Sequence, residues 1–121
     1  MPRFAILQHD FPHVHWDFLL EAGDHLRSWR LEEQPALGRA IRAEAIANHR
    51  LLYLDFEGPV SGGRGSVRRL DGGIYSQICF DETHQIVELE GARFRGIVTL
   101  ELIAAPEWRF TLTQPDTHSP A

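Results

Sequence analysis

Within nine residues, His9-Asp10-Phe11-Pro12-His13-Val14-His15-Trp16-Asp17 places three imidazoles and two carboxylates. Imidazole nitrogens and carboxylate oxygens are the ligand atoms that Mn, Fe and Zn accept. A set of two His and one Asp leaves coordination positions open for water or substrate. His9, His15 and Asp17 are the candidate ligands. On a strand, alternate side chains share a face, so His13, His15, Asp17 and Leu19 point one way. Val14, Trp16, Phe18 and Leu20 point the other way and read as a packing face. A turn at Pro12 would bring His9 back against His15 and Asp17. His13 reads as a solvated or substrate-side group rather than a fourth ligand. The plainer alternative is a His-rich surface strand, and spacing alone leaves both open.

A second cluster lies further on. His49 and Tyr53 are four apart, beside Asp55 and Glu57. A His there can act as a general acid or base, or hold a phosphate oxygen when protonated; packing against Tyr53 is the alternative. The Gly62-Gly63-Arg64-Gly65 loop could turn backbone N–H groups and a guanidinium toward an anion. It lacks the Gly-Lys-Ser/Thr ending of a nucleotide-binding loop, so a tight turn is its alternative. His25, His84 and His118 read as surface residues in turns or the tail, and Trp16, Trp29 and Trp108 as core. No Ser-His-Asp or Cys-His order suggests a covalent nucleophile.

The elements that must position these residues are short. Residues 4–8 are an apolar run that delivers His9. Residues 13–21 form a second strand and 26–31 a third, joined by a hairpin at Ala22-Gly23-Asp24-His25. Residues 39–48 are Ala-rich, and composition alone predicts a helix. Five more strands are expected at 67–70, 73–80, 85–90, 94–103 and 108–113, separated by turns such as Asp71-Gly72-Gly73. Many short strands with closely spaced turns predict an antiparallel barrel or sandwich. Residues 1–113 read as one domain and 114–121 as a flexible tail.

The totals agree. A chain of 121 residues, 43% hydrophobic and 24% charged, fits one globular domain. No apolar run is long enough to span a bilayer, and Met1-Pro2-Arg3-Phe4 does not open a signal peptide. The reading is therefore cytoplasmic, with no membrane partner. Cys79 is the only cysteine, which rules out an intrachain disulfide and a cysteine zinc site. Its neighbours Ile78 and Phe80 predict a buried structural thiol. A net charge of -5 argues against sequence-blind coating of nucleic acid. Residues 1–70 carry nine Arg against nine acids, and residues 71–121 carry three Arg against eight acids, so the excess acid lies late in the chain.

One ordered series is more specific. It runs Gln8-His9-Asp10, His15-Trp16-Asp17-Phe18, Ser28-Trp29, Asn48-His49, Tyr53, Asp55-Phe56-Glu57-Gly58, Gly65-Ser66-Val67 and Asp71-Gly72-Gly73. This series resembles the 3′-phosphoesterase domain of bacterial ligase D, the multifunctional DNA ligase of non-homologous end joining. The resemblance implies a mainly β fold: a compact antiparallel β-barrel with short helical segments, in which residues 39–48 are a strand. It implies a divalent metal, typically Mn, on His9, His15 and Asp17, with Zn or another transition metal as alternatives. It makes His49 the catalytic, phosphate-contacting His and Tyr53 an active-site Tyr. The implied activity removes 3′-phosphates and 3′-ribonucleosides from DNA primer ends. Nucleic-acid 3′ ends, and a separate ligase or end-joining proteins, are then the expected partners.

The departures bear on turnover. The family pattern places an Arg on the scissile phosphate where this chain has Leu19. An acidic residue common before the catalytic His is missing at Ala47-Asn48, and a basic loop is replaced by Glu33-Gln34-Pro35. His13, Arg30 and Arg64 are the candidate substitute cations. Two further readings follow: a non-catalytic metal-containing module that recognises an end or a partner, and a phosphoesterase acting on a small molecule.

Overall fold

The computed structural model describes residues 1–114. The expected tail lies outside that range after its first residue, as does His118. The strands are β1 (Arg3–His9), β2 (His15–Ala22), β3 (His25–Leu31), β4 (Ala40–His49), β5 (Gly58–Pro59), β6 (Ser66–Phe80), β7 (His84–Gly91), β8 (Arg95–Ala104) and β9 (Glu107–Thr113). A 3-10 turn, Leu51–Leu54, follows β4. The order β1-β2-β3-β4-β9-β8-β7-β6, closed by a β1–β6 pairing, makes an eight-stranded antiparallel barrel. The two-residue β5 adds only to β6. Closure removes exposed sheet edges.

Alternation decides which side chains fill the barrel. Phe4 and Ile6, Phe18 and Leu20, Trp29 and Leu31, Val98 and Leu100, and Phe110 and Leu112 all point inward and are buried. Phe18 stacks edge-on to Phe110 at 5.3 Å between centroids and lies 6.3 Å from Trp29. Each such side chain contributes roughly 1.5–3 kcal/mol by leaving water. Trp29 is core as expected, while Trp16 and Trp108 are partly buried against it.

Three expectations are corrected. Residues 39–48 are not helical but lie largely in β4, as the resemblance implied. Ala43 faces Trp108 and Ala45 faces Trp29 across the sheet, so the small side chains make room for indoles. That packing overrides the helix preference of Ala. The Asp71-Gly72-Gly73 segment is no turn; it sits inside the 15-residue β6. Gly73 passes so close to β7 that a Cβ would meet the Glu90 carbonyl oxygen at 2.1 Å. Cys79 is half-buried beside exposed Ile78, with Sγ 3.7 Å from Asp81, rather than sealed in the core. The expected hairpin holds: Ala22 pairs with His25 around a turn in which Gly23 has φ +67°.

A second apolar layer lies outside the barrel. Ala5, Leu7, Leu19, Leu26 and Val67 point outward and are covered by Leu54, with Tyr53, Phe56 and Val60 packed alongside. The candidate site occupies the same outer face, one strand step further along.

Candidate metal centre and its cleft

The β1–β2 register pairs His9 with His15 and Leu7 with Asp17, so both imidazoles and the carboxylate leave the sheet on one side. One ligand atom from each of His9, His15 and Asp17 lies within 4.8 Å of the others. His15 and Asp17 are only 1% and 3% exposed. His15 donates Nδ1–H to the His13 carbonyl at 3.0 Å. A carbonyl can only accept, so in the neutral ring Nε2 carries the lone pair; it sits 3.3 Å from Asp17 Oδ1. Both of those atoms are buried without a hydrogen-bond partner. His9 donates Nε2–H to the Arg64 carbonyl at 2.8 Å, which leaves Nδ1 free, 4.0 Å from Asp17 Oδ2. Carbonyls thus set both tautomers from behind, as outer partners do for metal-binding histidines. A buried acceptor without a donor is destabilising by about 1–3 kcal/mol. A cation between the three atoms satisfies them all, so the donor set fits a divalent ion.

The turn between the two strands is pinned from across the barrel seam. Asp10 Oδ1 accepts the Ser66 N–H at 2.8 Å. Gly65, with φ +72°, lies so close that a Cβ would meet Asp10 Oδ1 at 2.2 Å. This joint holds the Arg64 carbonyl on His9. The Arg64 guanidinium is turned back: Nε donates to the Ser61 carbonyl at 2.8 Å. In the Gly-rich loop, therefore, it is a carbonyl rather than a row of N–H groups that serves the cluster.

A cleft of about 530 Å³ opens beside the cluster, bordered by His9, Asp17, Arg30, His49, Tyr53 and Arg64 among others. His49 stands at the end of β4. Ser28 donates its hydroxyl to the Leu26 carbonyl at 3.1 Å, so its oxygen accepts His49 Nδ1–H at 2.8 Å. The Ala47 carbonyl shares that proton at 3.2 Å. His49 Nε2 is then the ring nitrogen with the lone pair. Burial lowers the His49 pKa below its ordinary value, against the opposing pull of the Asp17 charge. Tyr53 stacks edge-on to His49 at 5.5 Å and to Phe56 at 5.3 Å.

The remaining sequence candidates separate. Arg30 lies directly opposite Asp17 in the β2–β3 register. His13 precedes β2, and its ring is exposed, 6.1 Å from His15. Leu19 shares the face of His15 and Asp17 as expected, but it is fully buried under Leu54 and borders no part of the cleft. The Asp55-Phe56-Glu57 segment is a clamp. Asp55 pairs with Arg3 at 2.6 Å, Glu57 accepts the Arg69 N–H at 2.9 Å, and Arg69 Nε donates to the Leu54 carbonyl at 2.7 Å. Sequence reasoning assigned no role to Ser28 or to the Asp10–Ser66 joint. Their presence in the ordered motif series was the available signal.

DNA ligase D 3′-phosphoesterase domains match the chain over residues 7–101. The multifunctional non-homologous end joining protein LigD of Pseudomonas aeruginosa is 30% identical over 104 residues, which cover 78% of this chain and 12% of that protein. The non-homologous end joining DNA repair protein LigD of Mycobacterium tuberculosis is 32% identical over 114 residues, covering 87% of this chain and 15% of its own length. The chain thus spans a small part of the length of these relatives.

Proposed function

The chain belongs to the DNA ligase D 3′-phosphoesterase domain family, and from that membership we propose a metal-dependent phosphoesterase that clears 3′-phosphates or 3′-ribonucleotides from nucleic-acid ends. Residues 1–113 are the proposed domain. The observation that carries the reading is the pair of buried, unpartnered acceptors, His15 Nε2 and Asp17 Oδ1, 3.3 Å apart beside His9 Nδ1. His9, His15 and Asp17 would hold the ion, with Mn proposed over Zn. When bound, a divalent ion supplies charge neutralisation at phosphate and activation of water. His49, with its Nε2 lone pair, would accept a proton or, once protonated, give one to a leaving oxygen. Tyr53 would orient the phosphate and keep the His49 ring in place. A separate ligase or end-joining protein is the proposed partner; among the described residues no helix is long and apolar enough to cross a membrane.

The test is a purified protein with added Mn and a primer ending in 3′-phosphate or a terminal ribonucleotide. We expect release of phosphate or nucleoside, lost in His15→Ala together with Mn binding. Mn binding without release would favour a non-catalytic module. Release only from small phosphate esters would favour a small-molecule enzyme.

A further inference from the structure

Arg30, Arg50 and Arg64 border the cleft. Two of them are engaged. Arg64 donates Nε to the Ser61 carbonyl at 2.8 Å and Nη2 to Ser61 Oγ at 3.4 Å. The Arg50 guanidinium lies on the Tyr53 ring, 6.0 Å from its centroid. Arg30 differs. Its Nε is buried with no hydrogen-bond partner. Glu44 faces it across β3–β4 and Asp17 across β2–β3, yet among the described residues no ion pair within 4.0 Å reaches it. With no hydrogen bond or ion pair to it among the described residues, the half-buried guanidinium keeps its outer N–H groups open to an acceptor that arrives through the cleft.

We propose that Arg30 is the residue that grips the terminal phosphate, its guanidinium donating to non-bridging oxygens of a 3′-phosphate beside the His9, His15 and Asp17 cluster. The proposal rests on the phosphoesterase reading and deepens it. Cross-strand neighbours start about 5 Å apart, so the Arg30 stem begins one step from a proposed metal ligand and is long enough to reach over it. The charge balance needs such a group. A phosphate monoester carries between one and two negative charges near neutral pH, and Asp17 adds another close by. A planar fork answers two phosphate oxygens at once. Glu32 and Glu44 border a neighbouring recess with Arg30 and His13. Their negative charge disfavours a long phosphate track on that side and leaves Arg30 to serve the chain end. The residue therefore sets preference for a terminal phosphate over a terminal hydroxyl.

The experiment uses 5′-fluorescein oligodeoxynucleotides ending in 3′-phosphate or 3′-hydroxyl, titrated by anisotropy with metal-free protein in EDTA over a range of salt. The wild type is expected to prefer the 3′-phosphate. Arg30→Ala should reduce that preference about tenfold and flatten the salt dependence by roughly one counterion. Arg30→Lys should restore part of it, because the charge returns without the fork. With Mn present, phosphate release by Arg30→Ala should fall on the order of 10²-fold, while Mn affinity measured by calorimetry stays unchanged. If Arg30→Ala keeps the wild-type preference and salt slope while the wild type binds Mn and releases phosphate, Arg30 is refuted and the phosphoesterase reading stands. If Arg30→Ala loses Mn affinity in parallel, Arg30 supports the cluster and the proposal is overturned. A wild type with neither Mn binding nor 3′-phosphate preference removes both.

Discussion

His49 shows how one side chain's surroundings set its chemistry. Burial holds its pKa below the ordinary value, and the Ser28 hydroxyl oxygen and the Ala47 carbonyl accept its Nδ1–H. In the unfolded chain the same ring protonates near pH 6.5. Between the folded value and about 6.5 the unfolded state binds more protons, so stability rises with pH. As pH falls below about 6.5, His49 therefore contributes a loss of stability that becomes complete only below its folded pKa. In His49→Gln that contribution vanishes. Urea midpoints for both proteins from pH 5 to 7.5 should converge on acidification relative to their separation at high pH; a constant separation would contradict the assigned burial. Leu19 carries the opposite lesson. It is buried under Leu54, so Leu19→Arg forces a guanidinium into an apolar layer. We expect a destabilisation of about 2–4 kcal/mol and no gain in phosphate release. An unchanged unfolding midpoint would place that side chain in the cleft after all.

At the scale of elements, the site depends on joints between strands more than on any one strand. The β1–β2 turn is latched to the start of β6 through Asp10, Gly65 and Ser66. Gly65→Ala combines a disfavoured φ with a Cβ overlapping Asp10 and Phe11. The joint should open and release the Arg64 carbonyl from His9. Loss of such an outer partner weakens metal binding about 10–100-fold elsewhere, and Mn calorimetry on this variant should show a drop in that range. Full retention of affinity would show that the carbonyl does not matter. A second joint lies at the far side. Asp71, inside β6, accepts the N–H groups of Ala92, Arg93 and Phe94 at 3.2, 3.0 and 2.6 Å. Asp71→Ala leaves these N–H groups without that acceptor at the β7–β8 turn, and chemical denaturation should register a loss of about 3 kcal/mol. A loss below about 1 kcal/mol would mean that water replaces the carboxylate freely.

For the molecule as a whole, the wall formed by β1, β2 and β3 serves two sides. Its inward residues fill the barrel, and its outward residues carry the cluster and the small layer under Leu54. Phe18 lies in the chain between Asp17 and Leu19 and contacts Phe110 and Trp29 within. Phe18→Ala should cost about 3–5 kcal/mol, a large share of the stability usual for a domain this small. Where that variant remains folded, its Mn affinity should also fall, because the strand presenting Asp17 loses its anchor. A folded Phe18→Ala with wild-type Mn affinity would show that core and site are mechanically independent.

Residue type and spacing alone put forward His9, His15 and Asp17 as candidate ligands, and determined the outward face shared by His15, Asp17 and Leu19 and a chain of short antiparallel strands. Alternation is local, and a period of two is written directly into the residues. Tertiary structure decided the rest. The Ala-rich segment became β4 because two indoles needed small neighbours, a contact far apart in the chain. Asp71-Gly72-Gly73 ran straight because the glycines admit β7 and the carboxylate caps a distant turn. Leu19 left the cleft because Leu54 covers it, and Arg30 entered because strand register set it against Asp17. Register and cover are relations between segments, so no single stretch of residues contains them.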